Sequence, residues 1–148
     1  MQPRSPETTK KDNRSFSCLR VFVVSFAVTA QARSTWEGVY TDAQAKRGET
    51  IYVNRCANCH APDLSGMDQA PPLAGADFTT EWNDLTLHDL FERVRVSMPA
   101  DKPGSLDRQQ VADVLAFTLH KNGFPAGQTD LPPTADALTA TRFVAKKP

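Results

Sequence analysis

The chain has 148 residues, 17 Lys/Arg against 17 Asp/Glu, and 40% hydrophobic residues. That length without an internal repeat suits one small domain. A formal charge of zero gives no sign of a general polyanion binder, so neither nucleic acid nor an anionic membrane surface is expected as partner.

The N-terminal segment reads as a leader. Arg4, Lys10, Lys11, Arg14 and Arg20 precede an apolar run from Val21 to Ala30, and Ala30-Gln31-Ala32 supplies the small residues of a cleavage site. Ten apolar residues are about half of the roughly 20 needed to span a bilayer. The expectation is export to the periplasm, with cleavage after Ala32 and no stable membrane span in the mature chain. Residues 1–32 hold five of the cations and two of the anions, so twelve cations then face fifteen anions and the mature charge is −3. Cys18 leaves with the leader, and Cys56 and Cys59 remain.

A first helix is predicted after Thr41, with Gln44 three residues on as the partner of a capping box, running toward Cys56 with Gly48 and Tyr52 on one face. It leads into Cys56-Ala57-Asn58-Cys59-His60, the C-x-x-C-H arrangement of covalent haem attachment. Cysteines three apart share one helix face, so both thiols can add to the two vinyl groups along one haem edge, and His60 then stands where its imidazole can ligate iron. A closed zinc site needs four ligands, whereas the mature chain adds only the separate His88 and His120. A thiol-redox module would need β-α-β patterning around the motif, which is not evident.

Ala61 to Leu85 contains Pro62, Gly66, Pro71, Pro72 and Gly75 and shows no clear periodicity. A loop of that length inside a compact domain is accounted for if it packs on the edge of a cofactor. The second helix is predicted after Thr86, with Asp89 as capping partner and Leu87, Leu90, Phe91 and Val94 on one stripe. Beyond it stands Met98-Pro99, the Pro stopping the helix and stiffening the loop that presents the thioether. Met98 is the favoured second iron ligand. Met67, only seven residues past His60, reads as a space-filling loop residue, and His88 and His120 remain as alternatives. Met/His ligation fills both axial positions and leaves electron transfer as the expected function; a peroxidase-like enzyme is the alternative if Met98 does not bind.

The third helix is predicted after Ser105, with Val111, Val114, Leu115, Thr118 and Leu119 at helical spacing and a stop at Asn122-Gly123. Residues 128–148 then form a Pro- and Thr-containing C-terminal extension whose order is left open. The domain expected to hold the haem therefore runs from 33 to 127.

In their order these motifs resemble the class I c-type cytochromes over most of residues 40 to 127. C-x-x-C-H closes an N-terminal helix, and Pro71-Pro72-Leu73-Ala74-Gly75, Trp82, a helix, Met98-Pro99 and a C-terminal helix follow. The resemblance implies a small all-α fold of three main helices and long loops around one covalent haem c. It also implies that the Pro71 carbonyl accepts a hydrogen bond from His60 Nδ1, that Trp82 donates to a haem propionate, and that Gly48, Tyr52 and Phe117 form the crossing of the first and last helices. Ala61 departs from the pattern, since many relatives have Gly there. A narrower likeness, carried by Trp36 to Tyr40, Pro103 to Leu106 and Asn122 to Gly127, is to cytochromes associated with PQQ-dependent alcohol or sugar dehydrogenases. The partners it implies are redox proteins: a quinoprotein dehydrogenase, an oxidase or another cytochrome.

Overall fold

The computed structural model describes residues 32–148; the leader expected over 1–32 lies outside the described residues except for Ala32. These residues form six helices: α1 (Asp42–Arg55), α2 (Ala57–His60), α3 (Ala76–Trp82), α4 (Leu87–Ser97), α5 (Arg108–Lys121) and α6 (Ala135–Thr139). A two-residue parallel pairing of β1 (Arg33–Ser34) with β2 (Thr141–Arg142) joins the two ends of the described chain. Among the described residues no helix is long and apolar enough to cross a membrane. The three predicted helices correspond to α1, α4 and α5, and the fold is that of a small all-α protein.

Local capping explains where the main helices start. Thr86 accepts the N–H of Asp89, whose carboxylate returns to the Thr86 N–H at 2.9 Å, the reciprocal box expected there. α5 starts later than predicted, because Asp107 rather than Ser105 is the cap and forms a box with Gln110. Thr41 caps α1 through the Gln44 N–H at 3.1 Å, but Gln44 does not close the box. Its side chain is fully buried and instead donates to the Leu131 carbonyl at 3.1 Å and accepts from the Leu131 N–H at 2.6 Å. A strand-like pair to a distant backbone wins because it satisfies an amide that would otherwise be buried without partners.

α3 lies within the stretch expected to lack periodicity. It is seven residues long with one buried side chain, Phe78, and no side-chain cap, so there is little pattern to read. α1 and α5 cross most intimately at Gly48, where an added Cβ would lie 1.8 Å from the Asp113 carbonyl oxygen and 2.9 Å from Phe117 Cβ. Tyr52 and Phe117 pack beside that crossing with ring centroids 5.2 Å apart.

The segment from 128 to 148 belongs to the core. Leu131, Leu138 and Phe143 are buried, and Phe143 packs against Phe124 and Phe78 with centroids 5.1 and 6.0 Å away. The N-terminal lead-in closes over it, with Trp36 Nε1 donating to the Val144 carbonyl at 2.8 Å and Tyr40 donating to the Phe124 carbonyl at 2.6 Å. Arg47 ties the same region to α5, meeting Asp113 at 3.0 Å and Asp130 at 2.6 Å.

Asp130 lies below the ordinary carboxylate range, first because it accepts from Thr41 and then because it accepts from Arg47. A depressed carboxylate stabilises the fold fully above its unfolded value near 3.8, and the contribution is lost as pH falls below that through the folded value. Protection of the Leu131 amide, measured as its exchange rate relative to an unstructured chain at the same pH, is therefore expected to fall on acidification below about pH 4. The Asp130→Asn variant should remove that part of the acid response; an unchanged profile would show that Asp130 does not hold the tail.

Candidate functional site

α1 ends where the attachment motif begins. Cys56 breaks the helix at φ −124°, ψ −36°, and the short α2 restarts from it, with Cys59 and His60 N–H groups donating to the Cys56 carbonyl at 3.1 and 3.0 Å. Cys56 is half-buried beside Tyr52, Leu64 and Phe117, while Cys59 is exposed; both are free thiols. Burial pushes the Cys56 thiol up to about 11. A redox-active cysteine requires the opposite shift toward thiolate, so the thiol-redox alternative loses support. No group of three or more His, Cys, Asp or Glu able to hold a metal ion occurs among the described residues, which also weakens the zinc alternative.

His60 is buried, at 8% exposure, and its Nδ1 stands 2.9 Å from the Pro71 carbonyl oxygen. A carbonyl only accepts, so Nδ1 carries the proton and Nε2 keeps its lone pair for a metal. Tyr52 braces the turn after the motif by donating to the Ala61 carbonyl at 2.7 Å. Burial raises the Tyr52 phenol, which stays a donor at any ordinary pH. Ala61 itself adopts φ 63°, ψ 153°, a left-handed conformation that favours glycine. Alanine there costs backbone strain of about 1–3 kcal/mol.

A cavity of about 380 Å³ opens beside His60, lined further by Asn58, Cys59, Met67, Pro71 and Met98. That volume lies in the range of sites for small organic cofactors. Met98 is half-buried just past the end of α4, where its N–H donates to the Val94 carbonyl at 2.9 Å. The structure therefore brings His60, Cys59, Pro71 and Met98 to one cavity. Met67 lines it as well and is 47% exposed. Trp82 does not line it; its ring is half-buried against the core, 6.4 Å from Phe78. Nor does His88 on α4, or His120 near the C-terminal end of α5, whose Nδ1 lies 4.0 Å from an oxygen of Asp42 in α1.

These residues fit a covalently attached haem. Two free cysteines three apart, an imidazole with its second nitrogen already committed, and a thioether on the same cavity form the donor set that such a group needs. Sequence reasoning found the C-x-x-C-H run directly from spacing. It missed that the Asn122 side chain reaches Leu73 and Gly75, because the residue looked like part of a helix stop.

Sequence relatives of the chain are cytochromes. The chain is 28% identical over 95 residues to cytochrome c of Gossypium barbadense, covering 49% of this chain and 86% of the relative. The crystal structure of the sulfane dehydrogenase SoxCD from Paracoccus pantotrophus aligns with a TM-score of 0.46 at 22% identity, over 62% of this chain and 54% of that one. This chain thus spans about half the length of that neighbour. The sequence profile of the family described as cytochrome c oxidase, cbb3-type, subunit III matches residues 43–117, from the first turn of α1 to the buried Phe117 of α5. The chain belongs to that cytochrome c family, and its chemistry is electron transfer on covalently bound haem c.

Proposed function

We propose that this protein is an exported carrier of one electron at a time on a single haem, whose iron His60 and Met98 would hold and which Cys56 and Cys59 would tether. The observation that carries the reading is the His60 Nδ1–H bond to the Pro71 carbonyl at the edge of a cavity shared with Met98. When bound, the haem supplies a reversible ferrous–ferric couple. The chain's own part is to hold and tune. The Pro71 carbonyl orients the imidazole and raises its basicity, and the Met98 thioether would hold the iron and favour its reduced state.

Residues 1–32 support a periplasmic location by their basic and then apolar pattern. The partners are redox proteins; by the resemblance of the lead-in and of the Asn122 to Gly127 segment, the donor is a quinoprotein dehydrogenase or another respiratory complex, and the acceptor an oxidase or another cytochrome. Trp82, on α3, is assigned to a haem propionate on resemblance alone.

The test is an optical spectrum of the protein produced with haem-attachment machinery, as wild type and as Met98→Ala. The oxidised wild type should show a weak near-infrared sulfur-to-iron band and resist cyanide. The variant should lose the band and bind cyanide readily. An unchanged low-spin spectrum would remove Met98 from the ligand set, and a colourless wild type would overturn the site.

A further inference from the structure

The loop that offers its carbonyl to His60 is anchored on both flanks but not by the two prolines at its centre, and Gly66 N–H ties its start to the His60 carbonyl at 3.0 Å. Pro71 and Pro72 have no N–H to donate, so neither can anchor by its own amide. Upstream, Met67 and Ala70 exchange backbone hydrogen bonds at 3.2 and 2.8 Å, and downstream the Leu73 N–H reaches the Leu64 carbonyl at 2.8 Å. Gly75, at φ 91°, has open space where a Cβ would stand, so no packing fixes it there.

Asn122 adds a side-chain anchor on the downstream side, at Leu73 and Gly75. It lies just past α5, where its backbone N–H ends the helix. Its Oδ1 accepts the Gly75 N–H at 3.0 Å, and its Nδ2 donates to the Leu73 carbonyl at 3.0 Å and to the Thr118 carbonyl at 2.8 Å. One half-buried side chain thus joins the end of the C-terminal helix to two backbone groups of the loop that follows Pro71 and Pro72.

We propose that Asn122 is a positioning residue for the proximal imidazole. By holding Leu73 and Gly75 against α5, it keeps the Pro71 carbonyl in line with the His60 Nδ1–H. The inference rests on the reading of His60 as an iron ligand. It assigns to Asn122 a role beyond helix capping, because the strength of the Nδ1–H bond sets how much electron density the imidazole gives to iron.

The experiment compares haem-loaded wild type with Asn122→Ala, Asn122→Asp and Gly123→Ala, measuring melting temperature, reduction potential and, by NMR, solvent exchange of the His60 Nδ1–H. Asn122→Ala should exchange that proton about tenfold faster, the factor expected from losing a buried hydrogen bond. Its potential should rise, because a looser Nδ1–H bond makes the imidazole a poorer donor to ferric iron. Asn122→Asp keeps an acceptor for Gly75 but loses the donor to Leu73, and should also speed exchange; it serves if the alanine variant folds poorly. Gly123→Ala forces a side chain into φ 80° at the same helix end without touching the loop. It should lower the melting temperature and leave exchange and potential as in wild type.

Wild-type exchange and potential in both Asn122 variants would reduce the residue to a helix cap and overturn the proposal. So would equal changes in Gly123→Ala, which would mean general loosening of the helix end. Attached haem without an iron-shifted His60 ring in the wild type would overturn the ligand reading, and the proposal with it.

Discussion

A chain ending at Gly127 is expected to lose its cooperative fold or to melt more than about 20 °C below the full chain, by the usual relation between stability and melting temperature. The tail contributes Leu131, Leu138 and Phe143 to the core, each nearly or fully inaccessible to solvent. Burial of side chains of this size stabilises by about 1.5–3 kcal/mol apiece, and whole domains are stable by only about 5–15 kcal/mol. Truncation also orphans the buried Gln44 amide, whose two hydrogen bonds both end on Leu131. An unpaired buried polar group adds a further cost of about 1–3 kcal/mol. β1 would lose its partner and Trp36 the Val144 carbonyl that its indole meets. The gentler Phe143→Ala variant empties the space between Phe78 and Phe124 and should cost about 3–5 kcal/mol. Thermal melting followed by circular dichroism decides the matter: a truncated chain that melts within a few degrees of the intact one would falsify the assignment of the tail to the core.

Gly48→Ala should destabilise the protein by about 3 kcal/mol, the upper end of the ordinary range for overpacking. Alanine favours an isolated helix over glycine by about 1 kcal/mol, so propensity alone predicts the opposite sign. Geometry decides against it. The new Cβ would stand 1.8 Å from the Asp113 carbonyl oxygen and 2.5 Å from its carbon, and these are backbone atoms in the middle of α5 that cannot swing aside. Relief requires α1 and α5 to separate, which disturbs the Tyr52–Phe117 contact and the Arg47–Asp113 pair. The consequence reaches the site, because α1 ends at the first attachment cysteine and Tyr52 braces the turn after His60. Urea titration of the haem-loaded variant should show a lower midpoint with an unchanged slope; a midpoint equal to wild type would mean that the helices part at no cost.

Much of this protein can be read along the chain. The C-x-x-C-H run, the Thr86–Asp89 capping box and the apolar stripes of α4 and α5 are interactions between residues three or four apart, so the local sequence contains both partners. The three main helices and the haem-binding character were legible for that reason. The strain at Ala61 is not legible there, since only the backbone shows its φ of 63°.

The rest depends on which distant backbone groups meet, and a carbonyl or amide leaves no mark in residue type. Gln44 had a local partner within reach and took Leu131 instead, because folding buried its amide beside that strand-like segment. The tail reads as an extension, with three apolar residues too far apart to show a period, yet it supplies part of the core. Met67 and Met98 differ in sequence context but share one cavity, while Trp82 lies away from it. Asn122 looks like a helix stop until the loop after Pro71 and Pro72 folds back onto it. Local sequence by itself determined the helices and the haem-attachment run, because those are short-range matters of spacing and capping. The tertiary structure alone decided that Asn122 meets the loop after Pro71 and that the tail completes the core, because those contacts join groups that the chain keeps tens of residues apart.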